Sequence, residues 1–193
     1  MQITLSGEAA REQLFERIKK RGSAPWILAI DGDAAAGKTT LAKALSEAFS
    51  APIVHMDDFF LPAELRTGNR LNEPGGNVHY ERFIAQVLPH LLAHAALSYR
   101  PFDCRMMDYG SAVQIPAAEH LIVEGAYSLH PNYGTYYDLS IFCTLDPAEQ
   151  IRRIRNRNGE AMLQNFQNRW IPMEHRYQDA FSIPQKSQIL YRT

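Results

Sequence analysis

The sequence predicts an α/β fold: a doubly wound, mainly parallel sheet of five strands, with helices on both faces and a helical lid. Three observations point there. Short apolar runs alternate with segments of helical periodicity, the order expected of a parallel sheet covered on both sides. Those runs are almost continuously apolar, as strands buried on both faces are. A glycine-bounded turn, Gly32 to Thr39, joins the first run directly to an amphipathic helix.

In chain order, a helix is expected over about Glu8 to Lys20, with Leu14 and Ile18 facing inward. The first strand follows at Trp26 to Ile30, and a helix over Lys38 to Phe49 carries Leu41, Leu45 and Ala48 on one face. The second strand is Pro52 to Met56. Leu61 to Val78, rich in glycine and proline, is too long for a casual connection, and loops of that length are usually functional. From Tyr80, apolar residues recur at Phe83, Ile84, Val87, Leu88, Leu91 and Leu92, a helical pattern that Pro89 should kink or divide. Tyr99 to Ile115 reads as a hairpin-like excursion turning at Tyr109-Gly110. Strands at Leu121 to Val123, Leu139 to Cys143 and Gln188 to Tyr191 complete the sheet, with helices at Pro147 to Arg157 and about Ala161 to Phe181. Residues 1–193 are expected to form one domain.

Composition narrows the functional classes. The 193 residues carry 20 Lys plus Arg against 21 Asp plus Glu, a net charge of -1, which argues against a sequence-independent nucleic-acid binder. Cys104 and Cys143 form no CxxC pair and read as buried small hydrophobes. The N-terminal residues have neither a basic start nor an apolar core, and no apolar stretch reaches the ~18 residues that span a bilayer. A cytoplasmic protein is expected, with no membrane or nucleic-acid partner and room for a homo-oligomer.

Gly32-Asp33-Ala34-Ala35-Ala36-Gly37-Lys38-Thr39 fits G-x-x-x-x-G-K-[ST], and it lies between a strand and a helix as a phosphate-binding loop must. Backbone N–H groups of Gly32 to Thr40 would close around phosphates at the positive end of the helix. Lys38 would reach the β- and γ-phosphates, and the Thr39 hydroxyl would ligate Mg²⁺. No N-K-x-D guanine signature, no LSGGQ and no paired Asp-Glu after an apolar run accompany the loop. A kinase of a small molecule is the simplest reading, with ATP and Mg²⁺ as cofactors.

Such a kinase needs a carboxylate at the acceptor hydroxyl. Asp57 and Asp58 follow the second strand, at the sheet edge where ligands bind in α/β proteins. Asp57 is the candidate base, and Asp58 a candidate acceptor contact. Glu124 ends another strand at the same edge and can approach the metal. The cluster Arg152, Arg153, Arg155 and Arg157 is placed to neutralise developing charge, Arg153 as a catalytic cation and Arg157 on the nucleotide. A solvated helix face is the alternative for that cluster.

The order GDAAAGKTTLA, HMDDFF, IVEG and IRRIRNR, followed by a long helix, resembles the uridine kinase and nicotinamide riboside kinase group of P-loop kinases, over about Ile27 to Tyr191. The resemblance implies that Asp57 is the general base and helps hold Mg²⁺ with Thr39 and Glu124, and that the arginines form a lid over ATP. It also implies a lid at about 150–160, acceptor-site segments at about 57–80 and 99–115, and acceptor contacts from Phe102, Asp103 and Arg105. Arg169 and Arg176 could add charge to either substrate. Two departures concern the acceptor. Where uridine kinases carry a ribose-binding aspartate this chain has Asn77-Val78-His79, leaving His79 at that place, and no histidine follows Phe102-Asp103. His79 reads equally as a hydroxyl or phosphate ligand and as a polar helix-start residue, and Arg105 hints at a charged acceptor.

The expected activity is therefore transfer of the γ-phosphoryl group of ATP to a hydroxyl of a nucleoside-like molecule, uridine or cytidine first. Nicotinamide riboside, a pantothenate-like alcohol or a sugar derivative is the alternative acceptor, and a nucleotide-sensing regulatory module the alternative class.

Overall fold

A computed structural model describes residues 2–193. Its strands are β1 (Ile3–Ser6), β2 (Trp26–Gly32), β3 (Ile53–His55), β4 (Leu97–Tyr99), β5 (Phe102–Asp103), β6 (Asp108–Tyr109), β7 (Val113–Ile115), β8 (His120–Glu124), β9 (Leu139–Thr144) and β10 (Ile189–Arg192). The helices are α1 (Ala10–Lys19), α2 (Lys38–Phe49), α3 (Gly68–Asn72), α4 (Tyr80–Gln86), α5 (Leu88–Leu92), α6 (Pro147–Asn158), α7 (Glu160–Asn165), α8 (Ile171–Phe181) and α9 (Ile183–Lys186).

Six strands, not five, build the central sheet, in the order β1-β10-β9-β2-β8-β3, and every pairing in it is parallel. The additional strand is β1. It sits at the edge and buries Leu5 alone, so it lacks the continuous apolar run that marks the interior strands. All seven residues of β2, near the middle, are buried. Alternate residues of β2 feed opposite cores. Leu28 and Ile30 pack with Leu14 and Ile18 of α1 and Leu41 and Leu45 of α2. Ile27 and Ala29 face Phe59, Phe83, Tyr133 and Tyr177 on the other side. No helix among the described residues is long and apolar enough to cross a membrane.

Helix α2 occupies the span its apolar spacing predicts. The helical pattern from Tyr80 is divided as Pro89 requires: α4 stops at Gln86, and Pro89 stands in the first turn of α5, where its missing N–H costs nothing. The expected helix at 161–181 is interrupted by a π-helical turn, Phe166–Trp170, just before Pro172 opens α8. Pro172 cannot donate to the preceding turn, and the widened turn absorbs the mismatch.

The 99–115 excursion forms two small antiparallel ladders, β4 with β7 and β5 with β6. Its turn lies at Cys104 to Met107 rather than at Tyr109-Gly110: Tyr109 pairs with Phe102, and the Gly110 N–H donates to the Pro101 carbonyl at 2.8 Å. The Asp103 carboxylate closes that turn by accepting from Arg105 N (2.7 Å), which local turn chemistry allows and which Tyr-Gly had obscured. Cys143 is buried as expected, whereas Cys104, in the turn, is exposed.

Gly32 ends β2 with φ +140°, and a Cβ there would fall 2.0 Å from the Cys143 carbonyl oxygen of β9. Backbone, not a mobile side chain, fills that space. Gly32→Ala should therefore destabilise the fold by about 3 kcal/mol or more, read as a lowered midpoint in urea unfolding.

Candidate active site

The phosphate-loop residues Ala34 to Thr40 form one wall of a cavity of about 870 Å³. Asp57 and Glu124 also line it; α6 supplies Arg152, Arg153, Asn156 and Arg157, and the π-helical turn supplies Phe166, Arg169 and Trp170. The loop itself is held from below. Gly37 adopts the left-handed φ of +79° that turns the loop into α2, and Lys38 Nζ donates to the carbonyls of Gly32 (2.8 Å) and Asp33 (2.9 Å).

Gly32 and Asp33 lie beneath the loop, outside the cavity lining. The Asp33 carboxylate accepts from Thr144 Oγ1 (2.7 Å) and Gln178 Nε2 (3.1 Å), so its charge is directed to struts on β9 and α8. Asp31, 1% exposed, accepts from the N–H groups of Gly32 (2.7 Å), Tyr127 (3.1 Å) and Leu129 (3.0 Å) and from the Tyr177 hydroxyl (2.8 Å). Burial raises its pKa, while those donors and Lys38 oppose the rise.

At the sheet edge Thr39 Oγ1 lies 3.2 and 3.3 Å from the two Glu124 oxygens, and Glu124 also meets His55 Nδ1 at 2.6 Å. That contact with Glu124 is the main reason the His55 pKa is raised. Asp57 is open to the cavity yet ringed by protein. Desolvation, then the neighbouring Glu124 and Asp58 charges, raise its pKa against the pull of Lys38. The 3₁₀ turn Met56–Phe59 separates the two aspartates. Asp57 faces the cavity, whereas Asp58 accepts from the Tyr99 hydroxyl (2.8 Å) and lies outside the lining.

The lid cations are partly committed within the protein. Arg152 and Arg153 share Glu149 (2.6 and 2.7 Å), and Arg153 also reaches Thr193 Oγ1 (3.0 Å). The Arg157 guanidinium stands 5.9 Å from the centre of the Phe166 ring. Arg176 is outside the cavity and donates to the Asn72 carbonyl.

His79, Phe102, Asp103 and Arg105 do not line the cavity. His79 precedes α4, its backbone N–H on the Phe59 carbonyl and its Nδ1 buried without a partner. Phe102 packs edge-on against Tyr109 (5.4 Å), and Arg105 is exposed in the hairpin turn. The chain instead brings Phe60, Arg66, Leu71, Asn77, Cys104 and Tyr127 to that end of the cavity. All but Tyr127 lie in the segments 57–80 and 99–115 expected to meet the acceptor, but nothing in their spacing marks these residues individually.

Glu174 of α8 was also missed. Its carboxylate accepts from the Ala34 N–H of the phosphate loop at 3.0 Å. The whole arrangement is a glycine-bounded loop feeding α2, with Glu124 at the end of the adjacent β8 and Asp57 after β3, one strand further out. A possible uridine kinase from Bacillus stearothermophilus superposes with a TM-score of 0.70 at 20% identity, covering 94% of this chain and 96% of that one. The chain shares the fold of that structure. The fold also aligns with that of the YGR205w protein (TM-score 0.56, 14% identity, 93% of this chain and 90% of that one). It also aligns with TT1252 from Thermus thermophilus (TM-score 0.50, 16% identity, 88% and 89%). No protein-family model matches the chain, and neither does any curated protein.

Burial pushes the Glu174 carboxyl up to about 7 from an ordinary 4.5, with Lys38 opposing. The folded chain thus holds a proton that the unfolded chain releases near 4.5, and this contribution to stability is lost as pH rises from about 4.5 to about 7. Glu174→Gln cannot ionise. It should match the wild type near pH 4.5 and exceed it by roughly 3 kcal/mol at pH 8, measured by urea unfolding across that range.

Proposed function

We propose that the protein is an ATP- and Mg²⁺-dependent kinase that phosphorylates a hydroxyl of a nucleoside-like small molecule, with uridine or cytidine the first acceptors to try. One observation carries the reading: the phosphate loop and a lone open aspartate, Asp57, face each other across a single cavity that is large enough for two ligands. In the reaction the bond between the γ-phosphorus and its bridging oxygen breaks as the acceptor oxygen bonds to phosphorus. The hydroxyl proton passes to Asp57. Positioning matters more than basicity in so loose a transition state, and a carboxylate suffices.

Lys38 would leave the Gly32 and Asp33 carbonyls for the phosphates, and the amides of Ala34 to Thr40 would hold them. Arg153 and Arg157 would close over the transferred charge, displacing water. Glu174, holding its proton near neutrality, adds little repulsion beside the loop.

The donor set fits Mg²⁺: a hydroxyl and carboxylates, all hard oxygens, with Thr39 against Glu124 and Asp57 beside them. Among the described residues no three His, Cys, Asp or Glu side chains cluster as a self-sufficient metal site, which suits an ion completed by phosphate oxygens and water. Thr39, Glu124 and Asp57 would hold it, and when bound it neutralises phosphate charge.

ADP release with Mg-ATP, measured over a panel of nucleosides, ribosides and polyols, tests the reading; a response to no acceptor would sink it. Asp57→Asn should lower acceptor-dependent kcat by about 100-fold or more while ATP affinity stays near the wild-type value. Lys38→Ala should damage ATP binding and turnover together, both read by titration and initial rates.

A further inference from the structure

The acceptor end of the cavity carries a cation with no ion-pair partner among the described residues. Arg66 lines the cavity and forms no salt bridge among the described residues. Its neighbours on the same loop and beyond behave differently. Arg70 is paired with Glu81 at 2.7 Å, Arg82 donates to the carbonyls of Arg100 and Asp58, and the lid arginines 152 and 153 share Glu149.

Arg66 is nevertheless fixed. Its Nε donates to the Leu61 carbonyl at 2.7 Å, and one terminal nitrogen makes a long contact with Cys104 Sγ at 3.6 Å. A guanidinium has five N–H donors in a planar fork, so three here have no acceptor within the protein. Leu61, 1% exposed, also uses its N–H, on the Asn77 carbonyl at 3.1 Å. One buried residue thus sets both Arg66 and Asn77 at the cavity wall. The wall therefore offers an uncommitted cationic fork, held by the Leu61 backbone.

We propose that the acceptor is an acid: a small hydroxylated molecule bearing a carboxylate or phosphate, which the Arg66 fork takes bidentately. This rests on the kinase reading above and narrows it, from a neutral nucleoside-like acceptor toward an anionic one. Arg66 is a specificity-determining residue, and Asp57 remains the group that meets the reacting hydroxyl.

The test is calorimetric titration of the ADP-loaded protein with ribose, ribonate and ribose 5-phosphate, so that the phosphate loop is occupied and binding needs no turnover. Ribonate or ribose 5-phosphate should bind at least about tenfold more tightly than ribose, and whichever does so separates carboxylate from phosphate. Arg66→Met should weaken the preferred acid by about 30-fold with ribose and ADP affinities within about twofold of wild type, and Arg66→Lys should recover part of the loss. A merely structural Arg66 would weaken ribose and the acids alike. Failure to bind ADP would overturn the kinase reading itself. With ADP bound, acids that bind no better than ribose, or that ignore Arg66→Met, would overturn the acidic acceptor alone.

Discussion

One buried carboxylate underlies the site. Asp31 stands at the end of β2, nearly sealed from water, and gathers donors from the start of the phosphate loop, from the segment after β8 and from Tyr177 of α8. An ionised carboxylate without such donors would be costly there, and donors without the carboxylate would be orphaned. The arrangement therefore fixes three elements relative to one another. Tyr127 and the phosphate loop both reach the cavity from this anchor, and α8 brings Glu174 to the loop from the same side.

Around that anchor the charges are sorted by partner. Asp33 looks to Thr144 and Gln178, Asp58 to Tyr99, and Arg153 to Glu149 and Thr193. Sequence position assigns none of these directions. Asp57 and Asp58 are adjacent in the chain, yet one 3₁₀ turn sends one into the cavity and the other into a hydrogen bond with a buried tyrosine. What remains facing the cavity is a small set of groups whose valences the protein leaves unfilled.

The parts of the fold that the sequence revealed are those governed by local physics. The phosphate loop, α2, the buried strands and the break at Pro89 each follow from periodicity or from the geometry of glycine and proline. Edge strand β1 escaped because four residues with one buried side chain carry no period. The hairpin turn was misplaced because Asp103, not Tyr109-Gly110, supplies its closing hydrogen bonds. In the site, motif residues were legible and cavity walls were not. Asn77, Arg66 and Glu174 owe their position to the Leu61 backbone, to a long loop and to the path of α8, all of which are tertiary.

The pairing of β1 with β10 sets an order of events during synthesis. Ile3 aligns with Ile189, so β1 waits for β10, made much later, before it has a neighbour. Meanwhile β9, β2, β8 and β3 can already form a four-stranded sheet carrying the phosphate loop between β2 and α2. Long-range parallel pairing is slow because loop closure must precede any gain from contact. The nascent chain therefore carries a nearly complete phosphate loop while one flank of its sheet is still an open, pairable edge. The stretch between translation of β9 and arrival of β10 is when this protein is most exposed to misassociation with its neighbours.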